Sequence, residues 1–417
     1  MNKKNSKNIL IVGTSLYGCI LAYQLSKNKK NNIYIIDQSS RVLSSLNSIK
    51  INEYEINNGF HGIEIPRALK LLNFLKDNLK LKFETYNKIH KILINRNIID
   101  FKDGYSEWPK TIQNDLKKNY VIHTKDKISK FYSKNMLKLV SFCSKRYNKN
   151  INEYKHLIMP WFLPKEYKII SNDEGDIFRQ KVRDKKIDFK YAIPKKKLFK
   201  VFQKSFLVFL KKKGVKIKLN TSINFDKKNF TVIENRKKIF CEKNFFNCIY
   251  FCAPLAFLLR SINYKHFLGL NKYKRYFINA LFRVEKKMDF TEMICLNKKF
   301  KSLSRISILK NKKNILQIEL IRDQEKFDFK ENEKLKLELK KIFKFKSDPI
   351  LLGFKTSRLM FWPSKKWNTK AVDIIKGWKK NFNSKINIRY SFGPINMAKA
   401  WIYSIEDSKK INKSLND

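Results

Sequence analysis

Gly13, Ser15 and Gly18 stand at the spacing of a glycine-rich phosphate turn in Gly13-Thr14-Ser15-Leu16-Tyr17-Gly18. Each position of such a turn has a physical task at a dinucleotide. The first residue makes the tight turn, the middle one admits a pyrophosphate to the backbone, and the last lets a helix pack closely on a strand. A helix starting there aims unsatisfied N–H groups and the positive end of its dipole at the phosphates. Asp37 follows about 20 residues on, where a carboxylate accepts from ribose hydroxyls and favours an unphosphorylated adenosine ribose, so FAD or NAD rather than NADP. Ser15 narrows the approach at the middle position, but its hydroxyl has the chemistry to bond a phosphate oxygen.

Other residues carry weaker chemical promise. His61 lies in Gly59-Phe60-His61-Gly62, and glycines on both sides favour close approach to a ligand. Arg179 and Arg183 are four apart, so one helical face presents both either to a diphosphate or to solvent. Trp161 and Trp362, each beside a proline, have the shape to stack on a sugar or base, and Arg358 stands near Trp362; a place in the core is the commoner fate of such aromatics. His90, His123, His156 and His266 sit among lysines and receive no role. The six cysteines form no Cys-x-x-Cys pair, which argues against zinc and fits reduced thiols in a cytoplasm. No Ser-His-Asp or Cys-His arrangement stands out.

Positioning these residues requires a strand, turn, helix and strand in order. Ile9–Val12 and Ile33–Ile36 are short β-branched runs, and the segment after Gly18 has helical apolar spacing, which predicts two parallel buried strands. An amphipathic helix is predicted over residues 63–81, and mainly helices and loops over 82–190. A second crossover follows, with a helix over 198–210 and a strand over 215–219. Strands are predicted at 230–234, 238–241 and within 275–322, a charged helix over 331–345, then a strand at 386–390 and a helix over 397–415.

Taken together, these segments resemble the flavin amine oxidase superfamily, which includes protoporphyrinogen oxidase and UDP-galactopyranose mutase. The resemblance rests on the N-terminal unit, Asp37-Gln38-Ser-Ser-Arg41, Asn58-Gly59-Phe60-His61, Tyr191-Ala-Ile-Pro with its crossover, Tyr250-Phe-Cys-Ala-Pro254, and Phe392-Gly393-Pro394-Ile-Asn396-Met397. A glycine pair usual in the family is expected near Ser44-Ser45. The resemblance implies an α/β fold: a discontinuous Rossmann-like FAD-binding domain (1–65, 190–260, 375–417) and a second mixed-sheet and helical substrate domain (66–189, 261–374). It implies FAD as cofactor, His61 near the flavin face, and Gly393, Pro394, Asn396 and Met397 at the flavin end.

The 417 residues carry 91 Lys and Arg against 36 acids, a net charge of +55. Lys here accompanies abundant Asn, Ile and Phe, the set that AT-rich codons encode, and it is dispersed through every segment. A nucleic-acid binder would concentrate the charge in a stripe with stacking aromatics, so that class ranks last. A small-molecule substrate is expected, a sugar nucleotide being one that suits the charge, and peripheral contact with an anionic membrane stays open. No signal peptide or transmembrane helix is expected, and the expected location is cytoplasmic. Three readings follow: an FAD-dependent oxidoreductase passing hydride from an organic substrate to flavin N5, in a setting such as cell-surface polysaccharide metabolism; a redox-neutral sugar-nucleotide mutase using reduced FAD; and a flavoprotein fold that has lost its cofactor and acts as a binding protein.

Overall fold

The computed structural model describes residues 6–44, 46–57, 62–87, 90–94, 96–100, 121–123, 168–170, 177, 180–181, 184, 190–195, 199–225, 230–235, 237–239, 245–264, 274–296, 300, 302–309, 312–361, 365–381, 386–388 and 397–416. Its first sheet has five parallel strands, in the order Lys216–Lys218, Asn31–Ile36, Lys7–Val12, Cys248–Phe251, Ile386–Ile388. Side chains alternate across a strand, so the run Ile9-Leu10-Ile11-Val12 feeds two cores at once. Ile9 and Ile11 join Ile33, Ile35, Cys248 and Tyr250 under the helices Leu16–Ser26, Val201–Lys212 and Met397–Asn416. Leu10 and Val12 join Ile249, Phe251 and Ile386 under Leu255–Ser261 and Lys365–Asn381. Cover on both faces explains why these strands read as continuous apolar runs.

The second large sheet has seven strands, in the order Ile350–Phe361, Lys274–Arg283, Lys312–Arg322, Leu303–Leu309, Glu292–Leu296, His90–Ile94, Asn97–Asp100. One face packs Ile278, Ala280, Phe282, Ile306, Leu316 and Ile318 against Leu335, Leu339, Ile342 and Phe343 of the helix Phe329–Phe343. The charged helix expected at 331–345 is therefore amphipathic, with a buried stripe on the sheet. At one end of the opposite face, Leu281 and Ile315 pack against Ile49, Ile51, Tyr54 and Ile56 of the hairpin formed by Ser48–Ile51 and Tyr54–Asn57. The expected α/β fold with a mixed second sheet is present.

Two local expectations are corrected. Residues 63–81 are not one helix: Ile63–Ile65 is a strand paired with Lys190–Pro194, and the helix is Leu69–Asp77. Pro66 separates the two and cannot donate to a continuing ladder. The expectation of helices and loops over 82–190 missed Phe83–Asn87 and His90–Ile94, short strands with partners far away in sequence, and Asn97–Asp100, which pairs with His90–Ile94 as a hairpin. The long edge strand Ile350–Phe361 was also missed. No helix among the described residues is long and apolar enough to cross a membrane.

Candidate functional site

The order of the five-stranded sheet sends the chain to one side of the first strand early and to the other side late. The carboxyl ends of Lys7–Val12 and Cys248–Phe251 therefore open into a crevice, the place where open α/β sheets bind ligands. Gly13 occupies it with φ +110°, a conformation that disfavours any side chain, and a Cβ there would lie 3.1 Å from Ala253 N. A Cβ on Gly18 would lie 2.2 Å from Gly13 O, so the last glycine is what brings helix and turn together.

Ser15 is the N-cap of the helix, its Oγ accepting from Gly18 N at 3.2 Å. The oxygen is thus used for capping, and the hydroxyl proton stays available for donation. The N–H groups of Leu16 and Tyr17, in the first turn, have no intrahelical acceptor. These donors and the bare Gly13 backbone suit a pyrophosphate.

Asp37 Oδ2 accepts from Thr14 N (2.6 Å) and Thr14 Oγ1 (2.7 Å), and Oδ1 from Ser39 N (2.8 Å) and Ser39 Oγ (2.6 Å). A carboxylate offers about four lone-pair sites, so the expected ribose acceptor is engaged by the chain itself. Ser39 Oγ also lies 2.8 Å from Arg41 O, while Gln38 and Arg41 are exposed. Leu43 N donates to Thr14 O at 3.0 Å. Leu43 is buried with φ +53°, so the glycine-like backbone falls there rather than at Ser44; Ser45 lies outside the described residues. Holding leucine in that region costs about 1–2 kcal/mol.

Sequence reasoning missed a buried polar cluster beneath the turn. The hydroxyls of Tyr17 and Tyr250 lie 2.9 Å apart and both donate to Asp407 Oδ2, Tyr250 at 2.7 Å. Burial, followed by charge on Cys252, drives both phenol pKa values upward, so both stay protonated donors. Burial likewise raises Cys19, with Asp37 adding to it. The sequence carries a hint: Ala400, Ser404, Asp407 and Ile411 form one helical stripe, and all four are buried.

Met397 begins the C-terminal helix and packs on the core beside the N-terminal helix. Gly59, Phe60, His61, Trp161, Arg179, Arg183, Trp362, Gly393, Pro394 and Asn396 lie outside the described residues. Of Arg358 the structure describes the backbone, opposite Phe277 in the ladder. Gly62, next to His61, packs tightly: a Cβ there would lie 2.3 Å from Tyr191 Cδ1.

No protein-family model matches the sequence, and no curated protein matches it. Solved structures do match. One is a protein from Exiguobacterium sp. 255-15 described as a protoporphyrinogen oxidase: TM-score 0.64, 10% identity, covering 98% of this chain and 99% of that one. Another is a reduced UDP-galactopyranose mutase, with TM-score 0.71, 8% identity and coverage of 98% and 96%. A third is a putrescine oxidase triple mutant made to redesign cofactor binding, with TM-score 0.56, 10% identity and coverage of 98% and 99%. This chain has their fold. The match runs the length of each protein, as the superfamily resemblance implied.

Proposed function

We propose that this protein binds FAD and is an FAD-dependent oxidoreductase acting on a small organic substrate. The observation that carries the reading is Gly13 at the sheet's crevice, with the helix start of Leu16 and Tyr17 beside it. Gly13, Leu16, Tyr17 and the Ser15 hydroxyl would hold the pyrophosphate, braced by Thr14 and closed by Gly18. Asp37, Gln38 and Arg41 lie at the adenosine end. Gly59, Phe60, Gly393, Pro394, Asn396 and Met397 are assigned to the flavin end, and His61 to the reacting face. Arg179, Arg183, Trp161, Arg358 and Trp362 are assigned to the substrate. When bound, the flavin supplies hydride acceptance at N5; the chain positions it and excludes water. The cofactor domain comprises residues 1–65, 190–260 and 375–417, and the substrate domain 66–189 and 261–374.

A second reading, redox-neutral isomerisation of a sugar nucleotide with reduced FAD, is supported by the TM-score of 0.71 to the reduced mutase. A setting in cell-surface polysaccharide or sugar-nucleotide metabolism suits both.

The test is the visible absorption spectrum of the purified protein before and after addition of FAD. Flavin bands that stay with the protein through gel filtration support the reading. Turnover of an electron acceptor then marks the oxidoreductase, and conversion of UDP-galactopyranose after dithionite reduction marks the mutase. A colourless protein that takes up no FAD refutes both and leaves a cofactor-free binding fold, to which the buried Leu43 and Ser15 would then belong.

A further inference from the structure

The crossover helices of a parallel sheet run against its strands, so their C-termini arrive at the edge where the strands begin. In the five-stranded sheet that edge lies opposite the crevice at Gly13. Leu16–Ser26, Val201–Lys212, Lys365–Asn381 and Met397–Asn416 all end there. Asn31 Nδ2 donates to Leu25 O at 3.0 Å and to Asn412 Oδ1 at 2.9 Å, which ties the end of the first helix to the end of the last. The Tyr23 and Phe209 rings, 5.2 Å apart, set Val201–Lys212 beside the first helix.

Residues 27–32, 208–216, 376–381 and 408–416 form these ends, and they hold thirteen lysines with no acid and no arginine. All thirteen but Lys379 are exposed, and none pairs with an acid among the described residues. Lys27 lies over the Tyr23 ring at 4.8 Å, Lys213 over Phe209 at 5.7 Å and Lys216 over Tyr34 at 4.6 Å. Asp407 is buried with its two tyrosines, so Asp373 and Glu406 are the nearest exposed acids on the four helices. A cation in the last turn balances a helix dipole. Three or four lysines at every end exceed that need, and their mutual repulsion is relieved only by anions from outside. A coding bias toward lysine does not clear acids from four separate segments. The helix Phe329–Phe343, by contrast, carries Glu331, Glu333 and Glu338 among its lysines.

We propose that this end of the protein docks on an anionic lipid bilayer, with the cofactor crevice turned toward water. A bilayer presents a plane of charge, which suits cations spread across a whole end of a sheet. A nucleic-acid strand suits a groove lined with stacking rings. Apolar groups share the end: Val208, one turn from Lys212, is 45% exposed, and Phe245, whose carbonyl accepts from Asn8 Nδ2 at the sheet edge, is 36% exposed. Such groups gain by entering the headgroup boundary. The inference goes beyond the proposed function and holds whether or not FAD binds.

Vesicle flotation of the full-length protein tests it, with phosphatidylcholine alone and with phosphatidylserine added, at about 0.1 M salt, where charges act over about 10 Å. Two variants lose the same charge at different places. The first combines Lys211→Gln, Lys212→Gln, Lys409→Gln and Lys410→Gln; the second combines Lys330→Gln, Lys334→Gln, Lys341→Gln and Lys346→Gln over the seven-stranded sheet. A lysine near an anionic surface contributes about fivefold to binding, so the first variant is expected to bind serine-containing vesicles about tenfold or more weakly and the second within about twofold of the wild type. Should the first variant fail to accumulate, lysine acetylation of the unaltered protein reads the same face. Vesicles are then expected to protect Lys29, Lys30, Lys211, Lys212, Lys409 and Lys410 and to leave Lys330 and Lys334 reactive. Equal losses in both variants, uniform protection, or no binding to serine-containing vesicles would overturn the proposal. Tighter binding to duplex DNA than to vesicles, lost in the first variant alone, would overturn it in favour of nucleic acid.

Discussion

Gly18→Ala sets two effects of opposite sign against each other. Gly18 is helical, and exchanging a helical glycine for alanine ordinarily stabilises by about 0.8–1.0 kcal/mol. Here the added Cβ would stand 2.2 Å from Gly13 O. Reaching 3.0 Å, below which real Cβ atoms are essentially never found, requires about 0.8 Å of separation between helix start and turn. The obstructing atom is backbone, and the turn is fixed by Gly13 N on Ile36 O (2.8 Å) and by Thr14 on Asp37. Overpacking of this kind costs about 1–3 kcal/mol. The expected net effect is a destabilisation of up to about 2 kcal/mol, a Tm lower by as much as a few degrees. The same displacement lengthens every hydrogen bond from the helix start to a pyrophosphate, so FAD affinity is expected to fall about tenfold or more. Thermal unfolding and flavin fluorescence titration read the two effects separately. A raised Tm with unchanged FAD affinity would refute the tight turn and the site built on it.

Four further outcomes are expected. Ser15→Gly keeps most of the N-cap but removes the hydroxyl assigned to the pyrophosphate, so FAD should bind more weakly with Tm nearly unchanged; tighter binding in the same titration would mean that the Ser15 side chain only narrows the turn. Ser39→Ala releases one acceptor position on Asp37 Oδ1 and should tighten FAD binding; no change would mean that Asp37 only braces the turn. Asp407→Ala leaves two buried phenol hydroxyls without their shared acceptor, and a loss of about 3 kcal/mol or more is expected in urea unfolding. Glu285 accepts from Ser347 N, Lys346 N and Ser347 Oγ, which lower its pKa to about 2. Its folded-state pKa lies below the unfolded value of about 4.3, so its contribution is present above that value and is lost as pH falls through about 2. Glu285→Gln should flatten Tm against pH across that window, and superposable profiles would refute the assignment.

Much of the site's frame was legible in the sequence because it is local. Gly13 and Gly18 define a turn whose strand, helix and second strand lie within one short stretch, and β-branched runs there predict strands buried on both faces. The same locality made the C-terminal helix readable from Met397 onward. Where the local pattern was ambiguous, the reading failed: Ile63–Ile65 has apolar spacing that suits a helix, and only pairing with Lys190–Pro194 makes it a strand.

The sequence by itself determined the residue types at the crevice and the order of elements that presents them. Tertiary structure alone decided what those groups do to one another. Asp37 reads as a ribose acceptor until Ser39 and Thr14 are found on its oxygens. Tyr17, Tyr250 and Asp407 are separated by 157 to 390 residues and become one buried cluster only when the first helix, a central strand and the last helix meet. Hydrogen bonding and burial act between neighbours in space, and the fold alone makes residues distant in the chain into neighbours.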